Sequence, residues 1–453
     1  MNDWKIQKIG DICNVTDYVA NGSFASLNQN VDYLNNQDYA VMVRLADHNA
    51  RWKSSLLYTT KKSYEFLKKS RLEVGDVVIA NVGANAGTVF RAPDLGMPMT
   101  LAPNAVACFP RDLNVFDRDF LYYYFSSPIG QWNISTILGG SAQPKFNKTD
   151  FRSLELCIPS IDIQRAIAYI LRTLDQKIEL NRKTNETLEA IAKGFFKSWF
   201  IDFDPVRAKV EGRSTKLPNE ISELFPDSFE DSQFDEIPIG WKFRDLCEIA
   251  NFQNGYAFKS KEYIDKNEMS IEVLRMGYID RGGGFKEDNS PVFVATSSKG
   301  YQEKYQIEKN DLIIAMTDMK EKMVILGCCA LIEENKRFVL NQRVGRIRVL
   351  DSGLVDPRYL YIYMNHPTHI DLIRTKSNSG VQVNLSTDVI KNTSILIPDE
   401  SIMKVFKTLS EKLFNQIFSN NKEIKTLVQI RNTMLPKLIT GELKVSEVEK
   451  IDI

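Results

Sequence analysis

A chain that repeats itself must fold as two copies of one unit, and this chain does so over most of its length. IPSIDI at 158–163 returns as IPDESI at 397–402, a displacement of 239 residues. The same displacement carries FLYYYFSSP at 120–128 onto YLYIYMNHP at 359–367, and Gln143 onto Gln382. With small gaps, DIC at 11–13 meets DLC at 245–247, and GDVVIA at 75–80 meets NDLIIA at 310–315. Two copies in one chain make a pseudo-dimer, which suits a target that itself has two halves.

Each copy alternates short β-rich runs with Gly, Asn, Asp and Pro clusters and ends in a long segment of helical period. The first has YAVMVRL, DVVIANVG, NAVACF and LELCIP; the second has LRMGYI, DLIIAMT, RVGRIRVL and TSILIP. The predicted fold class is α+β: two repeated domains of mixed α/β pattern separated by two long antiparallel coiled-coil helices. Expected boundaries are 1–158 and 241–398 for the domains, and 159–200 and 399–440 for the helices. An acidic connector would occupy 201–240 and a tail 441–453. The connector reads as ordered to irregular, with acidic runs such as SFEDSQFDEIP and little periodicity.

The periodic segments carry heptad seams. Ile167, Leu171, Leu174, Ile178, Asn181, Asn185, Leu188, Ala192, Phe195 and Trp199 alternate spacings of four and three. Displaced by 239, they become Phe406, Ser410, Leu413, Ile417, Asn420, Ile424, Leu427, Arg431, Met434 and Leu438. A single amphipathic helix lying on its own domain would also show an apolar face, but seldom a strict 3.5-residue repeat over this length. Pairing of the two seams is therefore expected, and a two-fold relation between the copies requires antiparallel helices. Asn181 and Asn420 stand at the midpoints of the seams, where buried amides would fix the register by penalising any slip into hydrocarbon.

Composition narrows the function classes. No run of about eighteen apolar residues exists to span a membrane. The start MNDWKIQKIG lacks an export signature, and six cysteines contain no Cys-x-x-Cys pair. A cytoplasmic protein with reduced thiols is expected. The 58 basic and 58 acidic residues cancel, which weighs against a strongly basic nucleic-acid binder. Residues 201–240, however, hold ten acidic residues against four basic ones, so the remainder of the chain is net positive by six.

Catalytic and metal motifs are absent. There is no phosphate loop, no His-Glu-x-x-His, no nucleophile elbow and no Asn-Pro-Pro-Tyr-like tetrad, and His366 and His369 lack a carboxylate partner at metal spacing. No catalytic residue, metal or cofactor is expected. Loops instead offer amides, hydroxyls, guanidinium groups and glycine: NGSFAS at 21–26, NVGANAG at 81–87 and GGSAQPKFNK at 139–148 in the first copy. The second offers NGYAFKS at 254–260, TDMKEK at 317–322, NQRVGR at 341–346 and SNSGVQVN at 377–384. Arg and Lys can read guanine edges, Asn and Gln can read adenine, and glycine lets a loop follow a phosphate backbone. The candidate DNA-binding set is Asn21, Ser23, Arg44, Asn81, Asn85, Gln143 and Lys145, with Asn254, Tyr256, Arg275, Lys320, Arg343 and Gln382 in the second copy. Ordinary turn chemistry accounts for any one of these residues taken singly.

At FFKSWFIDFDPVRAKVEG (195–212) the chain closely resembles the central signature of the specificity subunit of type I restriction–modification enzymes. MLPKLITGEL at 434–443 resembles the C-terminal signature, and the layout is similar over essentially the whole chain. The resemblance implies two target-recognition domains that each read half of a split double-stranded DNA site, joined by an antiparallel coiled coil. It also implies two methyltransferase (modification) subunits docked on the helices, motor-nuclease (restriction) subunits that join for cleavage, and no chemistry in this subunit itself. Phe195, Phe196, Trp199, Met434 and Leu438 are the expected partner-interface residues, internal helix packing being the competing assignment. Roughly 37 helical residues would reach about 55 Å, matching half-sites some 12–14 base pairs apart. The family often begins each helix with Leu-Pro-Pro…Glu-Gln; here only Gln164 is kept, and the second start, IPDESIMK, lacks it. A structural adaptor tethering two protein-binding domains, or a cryptic nuclease, are the rival classes.

Overall fold

The computed structural model describes residues 4–448 apart from 54, 141, 233, 234, 289, 320, 322, 379 and 381. By contacts the chain divides into two units, residues 1–181 with 423–453, and residues 182–422, so each unit takes part of both long helices.

In the first unit, strand Lys5–Lys8 pairs antiparallel with Glu155–Ile158, closing the domain on itself. An antiparallel sheet follows in the order Cys13–Asp17, Ala105–Pro110, Val77–Ala80, Val89–Arg91. A second sheet runs Tyr58–Thr59, Ala40–Val43, Met99–Leu101, Arg71–Leu72, its central pair parallel. Val77–Ala80 is buried at every position, as expected for a continuous apolar run covered on both faces. The second unit repeats the plan. Lys242–Asp245 pairs with Ser394–Ile397, and one sheet runs Ala250–Asn254, Val344–Val349, Leu312–Ala315, Cys329–Leu331. The other runs Tyr263–Ile264, Phe293–Ala295, Ser270–Leu274, Phe338–Leu340, where the corresponding parallel pair is the last because the extra edge strand lies at the opposite side. The repeat seen in the sequence is thus a repeat of topology.

The long helices are α1, Ile161–Phe200, and α2, Glu400–Thr440. They pair antiparallel in each unit. In the first, Arg431 donates to Asp175 at 2.7 Å and Asn181 donates to Glu423 at 2.9 Å, so partner numbers fall along α2 as they rise along α1. In the second, Asn420 donates to Asn185 at 2.8 Å, and the Phe196 ring lies 6.2 Å from that of Phe406. Both midpoint asparagines are buried, each bonded across the helix pair, to Glu423 and to Asn185 respectively.

The seam departs from the heptad at its end. Phe195 is exposed, while Phe196, one residue on, is wholly buried among Tyr359, Tyr363, Phe200 and Phe406. A straight helix of 3.6 residues per turn drifts about 20° per heptad from a 3.5 repeat, and the aromatic cluster takes up that drift. Residues 201–240 are also more ordered than their composition suggests. They form helices Asp204–Val210 and Asn219–Ser222 and a hairpin of Phe229–Asp231 with Glu236–Pro238. Phe203, Val206, Phe225 and Ile237 are buried in the second unit's core, so a few apolar anchors without a period order an otherwise acidic segment.

The first helix start depends on Gln164. Fully buried, it accepts from the Asp117 backbone N–H at 2.9 Å and donates to the carbonyls of Pro159 and Val115. Its counterpart at the displaced position is the buried Met403. The buried Arg358 is ion-paired with Asp356 at 3.0 Å and reaches Glu411, farther along α2, at 3.5 Å.

Candidate nucleic-acid interface

Register brings the polar loops of each copy to one edge of its first sheet. In the first unit Asp17 stands opposite Val106, Ala80 opposite Ala105 and Ile79 opposite Val89, so the loops after residues 17 and 80 and before 105 leave together. Backbone bonds join them: Asn81 N–H to the Asn104 carbonyl at 3.1 Å, Gly83 N–H to Pro144 at 2.9 Å and Phe146 N–H to Asn81 at 3.1 Å. An ion pair of 2.8 Å between Lys148 and Asp17 ties in the segment 139–148. Four stretches of the sequence thereby share one rim.

The second unit builds the same rim from different residues. Asn254 faces Gly345, Ala315 faces Val344 and Ile314 faces Cys329. Met316 N–H donates to the Arg343 carbonyl, Leu385 N–H to Met316, and Thr317–Met319 pairs with Gln382–Asn384. A Cβ at Gly255 would sit 2.1 Å from the Asn341 carbonyl oxygen, so only glycine lets the loop after Asn254 pass the one before Val344.

Of the candidate residues, several are spent on holding these loops. Asn21 donates to Ser70 and to the Tyr18 carbonyl and accepts from the Lys69 backbone; Ser23 caps helix Phe24–Asn30. Asn81 donates to the Phe146 carbonyl and Asn254 to Thr387. Arg44 grips Asp47 through two bonds of 2.8 and 2.7 Å, and Arg275 is ion-paired with Asp288 at 2.7 Å. The Tyr256 ring packs on Phe258 and Tyr305. Lys320 lies outside the described residues. Asn85, Gln143, Lys145, Arg343 and Gln382 are exposed on the rims, and among the described residues their side chains have no hydrogen-bond or ion-pair partner. Gln143 and Gln382 hold corresponding rim positions in the two copies.

Among the described residues no group of three or more His, Cys, Asp or Glu side chains is placed to hold a metal. Burial holds the His369 imidazole down at about 4, so it stays neutral within the second unit.

Comparison with known proteins follows the same division. The type I restriction modification DNA specificity domain matches residues 1–190 and again 238–426. The chain belongs to that family. The specificity subunit of the HindI type I restriction enzyme of Haemophilus influenzae is 24% identical over 98% of this chain and 100% of its own length. That of MjaIX from Methanocaldococcus jannaschii is 28% identical over 77% of this chain and 74% of its own. In fold, the specificity subunit from M. genitalium covers 96% of each chain with a TM-score of 0.55 at 15% identity. No helix among the described residues of this specificity subunit is long and apolar enough to cross a membrane.

The partner-interface residues read from the sequence are mostly interior. Phe196, Trp199 and Leu438 are buried in the cores of their own units, and Met434 packs against the first unit's core. Phe195 alone of the set is exposed, edge-on to Trp199 at 5.8 Å. Sequence period could not separate an aromatic that packs inward from its outward neighbour.

Proposed function

We propose that this specificity subunit reads a bipartite, asymmetric site on duplex DNA, one half at each rim, and directs methylation and cleavage by partner subunits while performing no chemistry itself. The observation that carries this reading is the paired rim. The same sheet edge in both copies gathers Asn, Gln, Lys and Arg loops, and the loops differ in sequence. Equal scaffolds with unequal loops suit two different half-sites. Exposed Asn85, Gln143 and Lys145 would contact the first, and Arg343 and Gln382 the second, with the tied residues fixing loop shape. The helix pair would set the gap.

Docking of two modification subunits is assigned to the outer face of α1. Tyr169 and Leu180 in the first unit, and Ile191 and Phe195 in the second, are large apolar side chains left exposed. Footprinting the full chain with a modification subunit on random duplexes tests the whole reading. Two short protected blocks with a constant unprotected gap are expected. One continuous block, or protection only where a partner binds DNA alone, would overturn it and favour a protein-tethering adaptor.

A further inference from the structure

The run KKSYEFLKKSR at 61–71 buries Ser63, Leu67 and Ser70 and turns a concentration of charge outward. Lys61, Lys62, Lys68, Lys69 and Arg71 are all exposed, with Glu65 the only acid among them. Among the described residues none of the four lysines has a carboxylate partner. Aromatic rings brace the two ends instead. Lys61 stands 5.8 Å from the Tyr39 ring and the Arg71 guanidinium 4.3 Å from that of Tyr64, while the two tyrosine rings are 5.5 Å apart. Cations held in this way lose less freedom on meeting an anion.

Position gives the charge a purpose. Asn21, in the first loop of the rim, holds the Lys69 backbone N–H at 2.9 Å and Ser70 at 2.8 Å. Thr16, in the strand leading to that loop, donates to the Lys69 carbonyl at 2.7 Å. The basic turn Lys68–Ser70 is therefore clamped to the rim through its backbone, leaving its lysine side chains to solvent. In the second unit the corresponding segment, between Phe293–Ala295 and Leu312–Ala315, carries Lys299, Lys304 and Lys309 against Glu303, Glu308 and Asp311. Between the matching strands, residues 60–76 hold five basic against three acidic side chains and residues 296–311 hold three against three, so the two copies share a scaffold but differ here by two charges.

From this we infer that residues 61–71 form a phosphate-backbone clamp beside the first rim, so that the N-terminal domain supplies most of the sequence-independent grip on the duplex. The inference rests on the DNA-reading function proposed above and adds to it an unequal division of labour. Phosphate contacts made by lysine release counterions, and each contact contributes about 0.9 to the slope of log K against log salt.

The test is a salt titration of duplex binding by the full chain with a modification subunit, comparing Lys68→Gln/Lys69→Gln with Lys299→Gln/Lys304→Gln. Both pairs are exposed, and the bond from Asn21 runs to the backbone of Lys69, so thermal midpoints should not move. The first pair is expected to flatten the slope by about 1 to 2 and weaken target and non-target duplexes by the same factor. The second pair is expected to change it by less than about 1. An unchanged slope for the first pair, with the two-block footprint intact, overturns the clamp and leaves the function standing. Equal flattening by both pairs overturns the asymmetry. A wild-type chain that gives no footprint overturns both readings.

Discussion

Asn420 shows how a single polar side chain fixes two helices in place. It donates to Asn185 and accepts from Gln416 at 2.7 Å, while Asn185 donates in turn to Asn421, and Asn421 to Glu333 at 2.7 Å. Asn420→Ala takes a donor from the half-buried Asn185 and an acceptor from the exposed Gln416, so a loss of about 0.5–1.5 kcal/mol is expected in urea unfolding, against no loss if water replaces both bonds. The last member of the chain is pH-sensitive. Burial, reinforced by Glu334 and Glu287, pushes Glu333 up to about 7. A carboxyl raised above its unfolded value binds more protons folded than unfolded, so stability falls as pH rises from about 4.3 to 7. Glu333→Gln keeps an acceptor for Asn421 and removes the charge; it should flatten that decline and exceed the wild type in melting temperature above pH 7. A variant with an unchanged pH profile would place the titration elsewhere. Asn181 and Asn420 were legible as seam midpoints, because a heptad locates them. Their partners were not, since Glu423 and Asn185 depend on the register of the helix opposite. Arg44 and Arg275 read as DNA contacts for the same reason: sequence does not show Asp47 and Asp288 folding back upon them.

At the scale of elements, α1 divides its work between faces. Phe196 has no exposed surface and meets five other aromatic or imidazole rings, so Phe196→Ala should cost about 3–5 kcal/mol and lower the melting temperature of the second unit. Leu180 is more than half exposed, and Leu180→Lys should leave that temperature unchanged while abolishing co-purification with a modification subunit. Retained co-purification would move the docking face off α1. Helix periodicity announced the pairing, and the similar strand patterns announced two α+β copies. The connector's anchoring in the core escaped notice because Phe203, Phe225 and Ile237 follow no period; their burial is decided by the core they meet. The latch of Tyr123 on Asp175, at 2.7 Å and shared with Arg431, was equally hidden, being assembled from three distant segments.

For the whole molecule, the strongest consequence of two copies on paired helices is that specificity and spacing should vary independently. Exchanging residues 241–398 for another domain of the family should change one half of the recognised sequence and leave the other half untouched. The gap should respond to the helices alone. Inserting seven residues at matching points of α1 and α2 preserves the seam phase to within about 20° and keeps the antiparallel partners aligned. Each helix then lengthens by about 10.5 Å, which equals about three base pairs of duplex. Footprints of such a variant should show the same two protected blocks with about three more unprotected pairs between them. Inserting the heptad in α1 only would offset the Asn420–Asn185 layer and the Asp175–Arg431 pair from their partners, so that variant should lose stability. If the double insertion instead leaves the gap unchanged, the distance between half-sites is set by the duplex or by the partner subunits, and the helices serve only to hold the two copies in one chain.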